Sequence, residues 1–139
     1  MPFPPEYQRA TDHFYDFLED VKNEAGFGSA HQAYTMAQGV FQAFRRRLSL
    51  QDAIRFADLL PVGLRALFVA DWDPDQPARP FASREAMTAE VKALRAEHNF
   101  STDTAIHDVA VVLRKHVDCE RFEKLLAQLP KGAADFWAV

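Results

Sequence analysis

Two stretches decide the fold: LLPVGLRALF at residues 59–68 and QLPKGAADFW at residues 128–137. In both, Leu-Pro is followed by one residue, a Gly, three residues and two large apolar side chains. Pro has a preset φ and no N–H, so it suits a helix start and disrupts a helix interior. Each Leu-Pro therefore predicts the end of one helix and the start of a short last one. Gly63 and Gly132 then supply the close approach such a corner needs. Pro61, Gly63, Pro130 and Gly132 are read as structural corners, since neither residue type offers a proton or a nucleophile.

The likeness extends outward at the same offset of sixty-nine residues. Ala37, Val40, Phe41, Phe44 and Leu48 form one helical stripe, and they align with Ile106, Val109, Ala110, Leu113 and Val117. Ala53, Phe56, Ala57 and Leu60 align with Phe122, Leu125, Leu126 and Leu129. Further forward the offset becomes seventy-three, pairing Phe14 with Met87, Leu18 with Val91 and Val21 with Leu94. The expected fold class is all-α, a tandem duplication of a roughly four-helix unit forming one compact helical domain. Unit 1 is residues 1–70 and unit 2 is residues 83–139. Between them, DWDPDQPARPFA at 71–82 holds three prolines and three aspartates and reads as a linker.

Capping signals divide the units. An opening helix spans roughly 6–24 and ends at Gly26 and Gly28. Ser29 with Gln32 has the form of a capping box, Ser49 starts the next helix, and Ser83 starts the first helix of unit 2. Asn99 is expected to stop that helix and Ser101 or Thr102 to start another. The run VAVVL at 109–113 sits inside helical spacing and reads as buried helix.

Composition bounds the class. The chain has 139 residues, 48% of them apolar and twelve of them Phe, enough to build a core. No apolar run approaches the ~18 residues of a membrane span. The start MPFPPEYQRATD lacks the flank and apolar stretch of a secretory signal, so a cytoplasmic location is expected. The net charge of −4 opposes a nucleic-acid footprint. Cys119 is the single cysteine, which excludes an internal disulfide or a cysteine-based zinc site. It reads as the first turn of a helix.

The segments VFQAFRRRLSLQDAIRFADLLPVGLRALF and VAVVLRKHVDCERFEKLLAQLPKGAADFW carry a resemblance. With a helix of pattern A-x-x-V-[FA]-x-x-[FL]-R-[RK] (Ile106 taking the first place in the second copy), an acidic-capped following helix and an L-P-x-G ending in tandem, the chain from about Tyr7 to Trp137 resembles the bacterial domain of unknown function 2267 family. That resemblance implies a small all-helical domain of two similar bundles. It brings no activity, cofactor or catalytic residue. The last helix of unit 2 is expected to reach barely two turns.

The repeated basic cluster is the leading candidate site. Arg45, Arg46 and Arg47 close one helix, and Arg114, Lys115 and His116 close its counterpart. Cations there complement the helix dipole at about 0.3–1 kcal/mol each. They could equally hold phosphate-bearing or acidic partners through the planar fork of Arg. Among His13, His31, His98, His107 and His116, none has a Glu three residues before it, so a di-metal carboxylate bundle is excluded. Asp103 with His107, and Asp12 and Asp16 beside His13, are acid–base or metal candidates that also occur as ordinary surface pairs. DWDPD resembles the start of a calcium loop, but Gln76 and Ala82 stand where its Gly and Glu belong. Trp72 reads as an anchor for the linker or a partner contact. No P-loop, nucleophile elbow or His-Glu-x-x-His is present. The expected function is therefore a non-enzymatic protein-interaction or assembly module, without metal or cofactor, whose partner is a protein or a second copy of the chain. The alternatives are a small-molecule or anion binder using Arg45, Arg46, Arg47, Arg114 and Lys115, and an enzyme led by His107 and Asp103.

Overall fold

The computed structural model describes residues 3–139, which are helical with no strand among them. The opening helix is two pieces, α1 (Pro5–Gln8) and α2 (Ala10–Ala25), separated at Arg9. This corrects the single helix expected over 6–24. α1 buries no residue, so no packing holds it in line with α2. Gly26 ends α2 at φ 74°, a left-handed turn that lets the Phe27 N–H donate back to the Lys22 carbonyl.

Helix α3 (Ala30–Arg45) runs through the centre of the molecule and is buried almost all round from Thr35 onward. Ser29 Oγ accepts from the Gln32 N–H, while Gln32 Oε1 accepts from the N–H of Gly28, one residue before the usual capping-box donor. α4 (Leu50–Leu59) and α8 (Cys119–Gln128) have bounds sixty-nine residues apart at both ends. Their caps correspond as well. Ser49 accepts from the Asp52 N–H, and Asp118 accepts from the Arg121 N–H.

The corners differ in detail. Pro61 directly precedes α5 (Val62–Val69) as its N-cap, rather than standing within its first turn. Pro130 lies three residues ahead of α9 (Ala133–Phe136), because Gly132 takes up φ 108° and delays the helix. α9 is accordingly half the length of α5. A Cβ on Gly63 would come 3.0 Å from the Phe14 side chain, and one on Gly132 would come 2.7 Å from that of Phe81.

Helix α6 (Arg84–Ala93) is capped by Ser83. Arg95 then turns left-handed (φ 51°) into a 3₁₀ turn at Ala96–His98. Asn99 Nδ2 donates to the carbonyls of Val91 and Leu94, so it ties off α6 from a distance. α7 (Ala105–Leu113) begins after Thr104, a correction to the expected start at Ser101 or Thr102. The hydroxyl of Thr102 donates instead to the buried Asp108 carboxylate, as does that of Thr104.

Helix α6 lies on α3, and α2 lies on α7 as well as on α3. At Gly39 the approach is so close that a Cβ would sit 2.9 Å from the carbonyl oxygen of Val91 on α6. One apolar core runs from α2 to α9. Its aromatic centre is Trp137, fully buried against Phe41, Phe44, Phe56, Phe122 and Phe136, with ring centroids 5.0–6.1 Å away.

Candidate functional site

The three arginines closing α3 have separate surroundings. Arg45 is buried, with Nη1 donating to the carbonyls of Phe68 (2.8 Å) and Ala70 (2.9 Å). Its guanidinium lies 5.1 Å from the centre of the Trp72 ring. It thus holds the end of α5 and the linker's first turn, where Asp71 adopts a left-handed φ of 54°. Burial, then the neighbouring Arg46, lower its pKa from the ordinary value, against the opposing pull of Asp71. The Nε of Arg45 is buried without an acceptor.

Arg47, its side chain 3% exposed, grips Glu90 of α6 with both terminal nitrogens, at 2.8 and 2.5 Å. It also donates to the carbonyls of Ala43 and Pro80. Arg46 reaches the same Glu90 Oε1 at 3.2 Å, and Arg79 of the linker reaches it at 3.5 Å. The Arg79 N–H donates to the Arg46 carbonyl, so linker and helix end are joined by backbone as well. Burial works to raise the pKa of Glu90, but the hydrogen bond and charge of Arg47, with Arg46 and Arg79, bring it below the ordinary carboxylate value.

Three guanidinium groups thus surround one carboxylate, with a fourth, Arg45, beside them. This local excess of positive charge stands in a chain whose net charge is −4. Arg45, Arg46 and Arg79 line a cleft of about 460 Å³ between the linker and the corner joining α3 to α4. Leu48, Leu50 and Trp72 give it an apolar side, and Asp73 lies on its rim loop.

The second cluster is arranged differently. Arg114 donates from Nε and Nη2 to the Trp137 carbonyl at 3.0 and 2.8 Å, pairs with Glu123 and lies over the Phe122 ring. Donor and acceptor both stand sixty-nine residues after Arg45 and Phe68, so the two arginines make the same clamp. Lys115 is exposed. His116, the counterpart of Arg47, meets Asp20 of α2 at 2.7 Å and packs edge-on against Phe17. The two clusters are not brought into one site: Arg45, Arg46 and Arg47 gather near Arg79 and Glu90, whereas Arg114 meets α8 and the end of α9, His116 meets α2, and Lys115 is exposed.

Asp103 pairs with Lys92 rather than with His107. Its charge and hydrogen bond to that lysine lower its pKa. His107 Nδ1 lies 3.9 Å from the buried Asp108 carboxylate, at a small cavity of about 220 Å³ that Asp103 and Thr104 also line. His13, Asp12 and Asp16 are on the exposed face of α2. Cys119 opens α8, exposed, its thiol directed at the Arg114 carbonyl. Among the described residues no group of three His, Cys, Asp or Glu side chains is arranged to hold a metal ion, and no helix is long and apolar enough to cross a membrane.

The partners Glu90 and Arg79 escaped the sequence reading. Each lies more than thirty residues from α3, so spacing along one helix could not join them. One signal was available. Glu90 adjoins Val91 on the edge of the Met87–Val91 stripe, where a carboxylate at a helix's buried border calls for a cation.

Fold and cleft define an all-α protein with a basic, half-apolar recess at its interior linker. The chain belongs to the family described as Uncharacterized conserved protein (DUF2267), whose model matches residues 14–136. That span runs from α2 to α9 and includes every residue of the cleft. No curated protein matches the chain.

Proposed function

We propose that the protein is a non-catalytic binding module whose linker cleft takes an anionic ligand. The observation that carries this reading is the gathering of Arg45, Arg46 and Arg79 at one recess, where Arg46 and Arg79 share a carboxylate already held by Arg47. Arg46 and Arg79 each spend one contact on Glu90 Oε1, while a guanidinium has five N–H donors, so both retain donors for a ligand. Arg79 is 56% exposed and free to adjust. Arg47 and Arg114, whose hydrogen bonds are spent within the fold, are assigned no ligand. The duplication of a four-helix unit is part of this reading: both units keep the arginine that clamps the closing helix, and unit 1 alone places a long linker beside it. The cytoplasm is the proposed location, consistent with one unpaired cysteine.

The test is thermal unfolding in sulfate, inorganic phosphate and 3-phenylpropionate, matched in ionic strength with chloride. A ligand that binds only the folded state raises Tm with concentration. At least one of these anions should do so, Arg46→Ala or Arg79→Ala should remove the rise, and Lys115→Ala should leave it. Sulfate also stabilises proteins by exclusion from their surfaces, so the difference between wild type and variant is the diagnostic quantity. Equal shifts in wild type and Arg79→Ala would contradict the proposal.

A second reading has its own observation. A shallow apolar groove of about 400 Å³ runs between α2, α3 and α5, lined by Phe14, Tyr34, Gly63, Ala66 and Leu67. Such a surface favours a protein partner, and cross-linking through a photoreactive residue at Ala66 in cells would test it. Loss of every cross-link on Ala10→Glu supports that reading; cross-links unchanged by the charge contradict it.

A further inference from the structure

The linker cleft carries charges of both signs. Arg46 and Arg79 stand against it, but Asp73 lines it too, and Asp71 and Asp75 flank Asp73 in the same segment. The Asp73 carboxylate is fixed there, because its Oδ1 accepts the Asp75 N–H at 3.0 Å. Asp73 therefore weakens the positive potential of the cleft. Attraction to that potential grows in proportion to a ligand's charge, but the cost of dehydrating the ligand grows with the square of it, so a dianion is less well compensated there than a monoanion. The opposite side of the cleft is formed by Leu48, Leu50 and Trp72, and Leu50 is 56% exposed at the start of α4, whose Ala53, Phe56 and Ala57 are buried while Ile54, like Leu50, is exposed. An exposed leucine beside a partly buried indole is an apolar contact without an occupant in the fold.

We propose that the ligand of this cleft is a monocarboxylate with an adjoining apolar group. Its carboxylate sits between Arg46 and Arg79, and its apolar part lies on Leu48, Leu50 and Trp72. Asp73 sets the charge selectivity by turning away phosphate and other dianions. The buried Arg45 holds Trp72 in place through the cation–π contact and spends Nη1 on the carbonyls of Phe68 and Ala70, so its part is to position the apolar wall. This deepens the anion-binding reading and rests on it. Two sources share the required chemistry: a free small aromatic acid, and an acidic side chain next to an apolar one in a peptide.

The experiment uses fluorescence quenching by acrylamide on the full chain. Trp137 is fully buried, so the quenchable indole is Trp72. The probes are 3-phenylpropionate, the end-capped dipeptide Asp-Phe, acetate and phenyl phosphate at constant ionic strength. 3-Phenylpropionate or the dipeptide should protect Trp72 saturably, and the tighter of the two identifies the source. Acetate should bind at least about tenfold more weakly for want of apolar contact, and phenyl phosphate should bind several-fold more weakly than 3-phenylpropionate. Arg79→Ala should weaken the protecting probe about tenfold. Asp73→Asn, which keeps the acceptor for the Asp75 N–H, should narrow the gap between phenyl phosphate and 3-phenylpropionate. If phenyl phosphate binds as tightly as 3-phenylpropionate to the wild type, the monocarboxylate assignment fails while anion binding stands. If acetate matches 3-phenylpropionate, the apolar half of the site fails. If no probe protects Trp72 or shifts Tm, both the inference and the reading beneath it fall.

Discussion

The ends of α3 and α7 begin alike and finish differently. Arg45 and Arg114 make the same clamp, each donating to a carbonyl near the end of a short helix, α5 or α9. Two residues on, Arg47 reaches Glu90 of α6 and His116 reaches Asp20 of α2. Both pairs join helices far apart in sequence, so the cross-link is shared while the chemistry is not. The arginine pair is bidentate and hardly exposed; the histidine pair is single and its Asp20 is nearly half exposed. At the first end a Pro-rich linker returns over the helix and brings Arg79, which leaves cationic donors around a recess. The second end has no such segment. The arginine clamp, present at both helix ends, thus adjoins a candidate site only where the Pro-rich linker passes over it.

That contrast can be broken by mutation. Arg47→Ala should destabilise the fold by about 1.5–3 kcal/mol, because it removes the two-pronged charged hydrogen bond to Glu90 and leaves that carboxylate only the longer contacts of Arg46 and Arg79. His116→Ala should cost no more than about 1 kcal/mol, since its pair is partly solvated. Urea denaturation of both variants measures the difference, and equal losses would mean that the two crossings are energetically alike.

The next largest effect sharpens the same comparison one helix face away. Gly39 lets α6 touch α3, whereas sixty-nine residues later the position is Asp108, whose carboxylate is buried under two threonine hydroxyls. Gly39→Ala should cost about 2 kcal/mol through overpacking against the Val91 backbone, which cannot swing aside. Asp108→Ala should cost about 1 kcal/mol, the net worth of hydrogen bonds to partners that water can still reach.

The corners follow. Gly132→Ala places a side chain at φ 108° and against Phe81, and should lose about 2 kcal/mol. Gly63→Ala has only the contact with Phe14, a half-buried ring able to give way, and should lose about 1 kcal/mol or less. Gly63→Val, bulkier, should lose about 1–3 kcal/mol. A Gly63→Ala variant less stable than Gly132→Ala would contradict this ranking, since Gly132 combines the positive φ with the closer approach.

The smallest effect is on acid stability. The folded-state pKa of Glu90 is lowered, so its stabilisation is present above the unfolded value of about 4.3 and fades as pH falls through the folded value. Wild type should therefore lose stability more steeply than Glu90→Gln below about pH 5, and the two curves should converge at the acid end. Parallel curves would mean that the arginines hold Glu90 no better than water does.

Much of the helical plan was legible from the chain. Apolar spacing and the Ser29, Ser49 and Ser83 caps are local signals, and α3, α4, α5, α6 and α8 follow them. The break at Arg9 was not legible, because helical propensity continues there and only the lack of a packing partner for α1 interrupts it. Thr102 was misread for a related reason. Its hydroxyl has the chemistry of a cap but spends it on Asp108, six residues along and already inside α7. For the site, the arginine run stood out as a repeated motif. Its partition did not. Whether an arginine closes a helix, crosses to a neighbour or faces a recess depends on Glu90, Arg79 and the carbonyls of Phe68 and Pro80, all placed by tertiary packing.

The most direct test of the central claim compares the two ends in one experiment. Backbone and indole NMR resonances are followed while the wild-type protein is titrated with 3-phenylpropionate at constant ionic strength. Saturable shifts at residues 45–50 and 72–80, including the Trp72 indole, with residues 114–118 unmoved, are the predicted result. Shifts of equal size at both helix ends, or none at the linker, would contradict it.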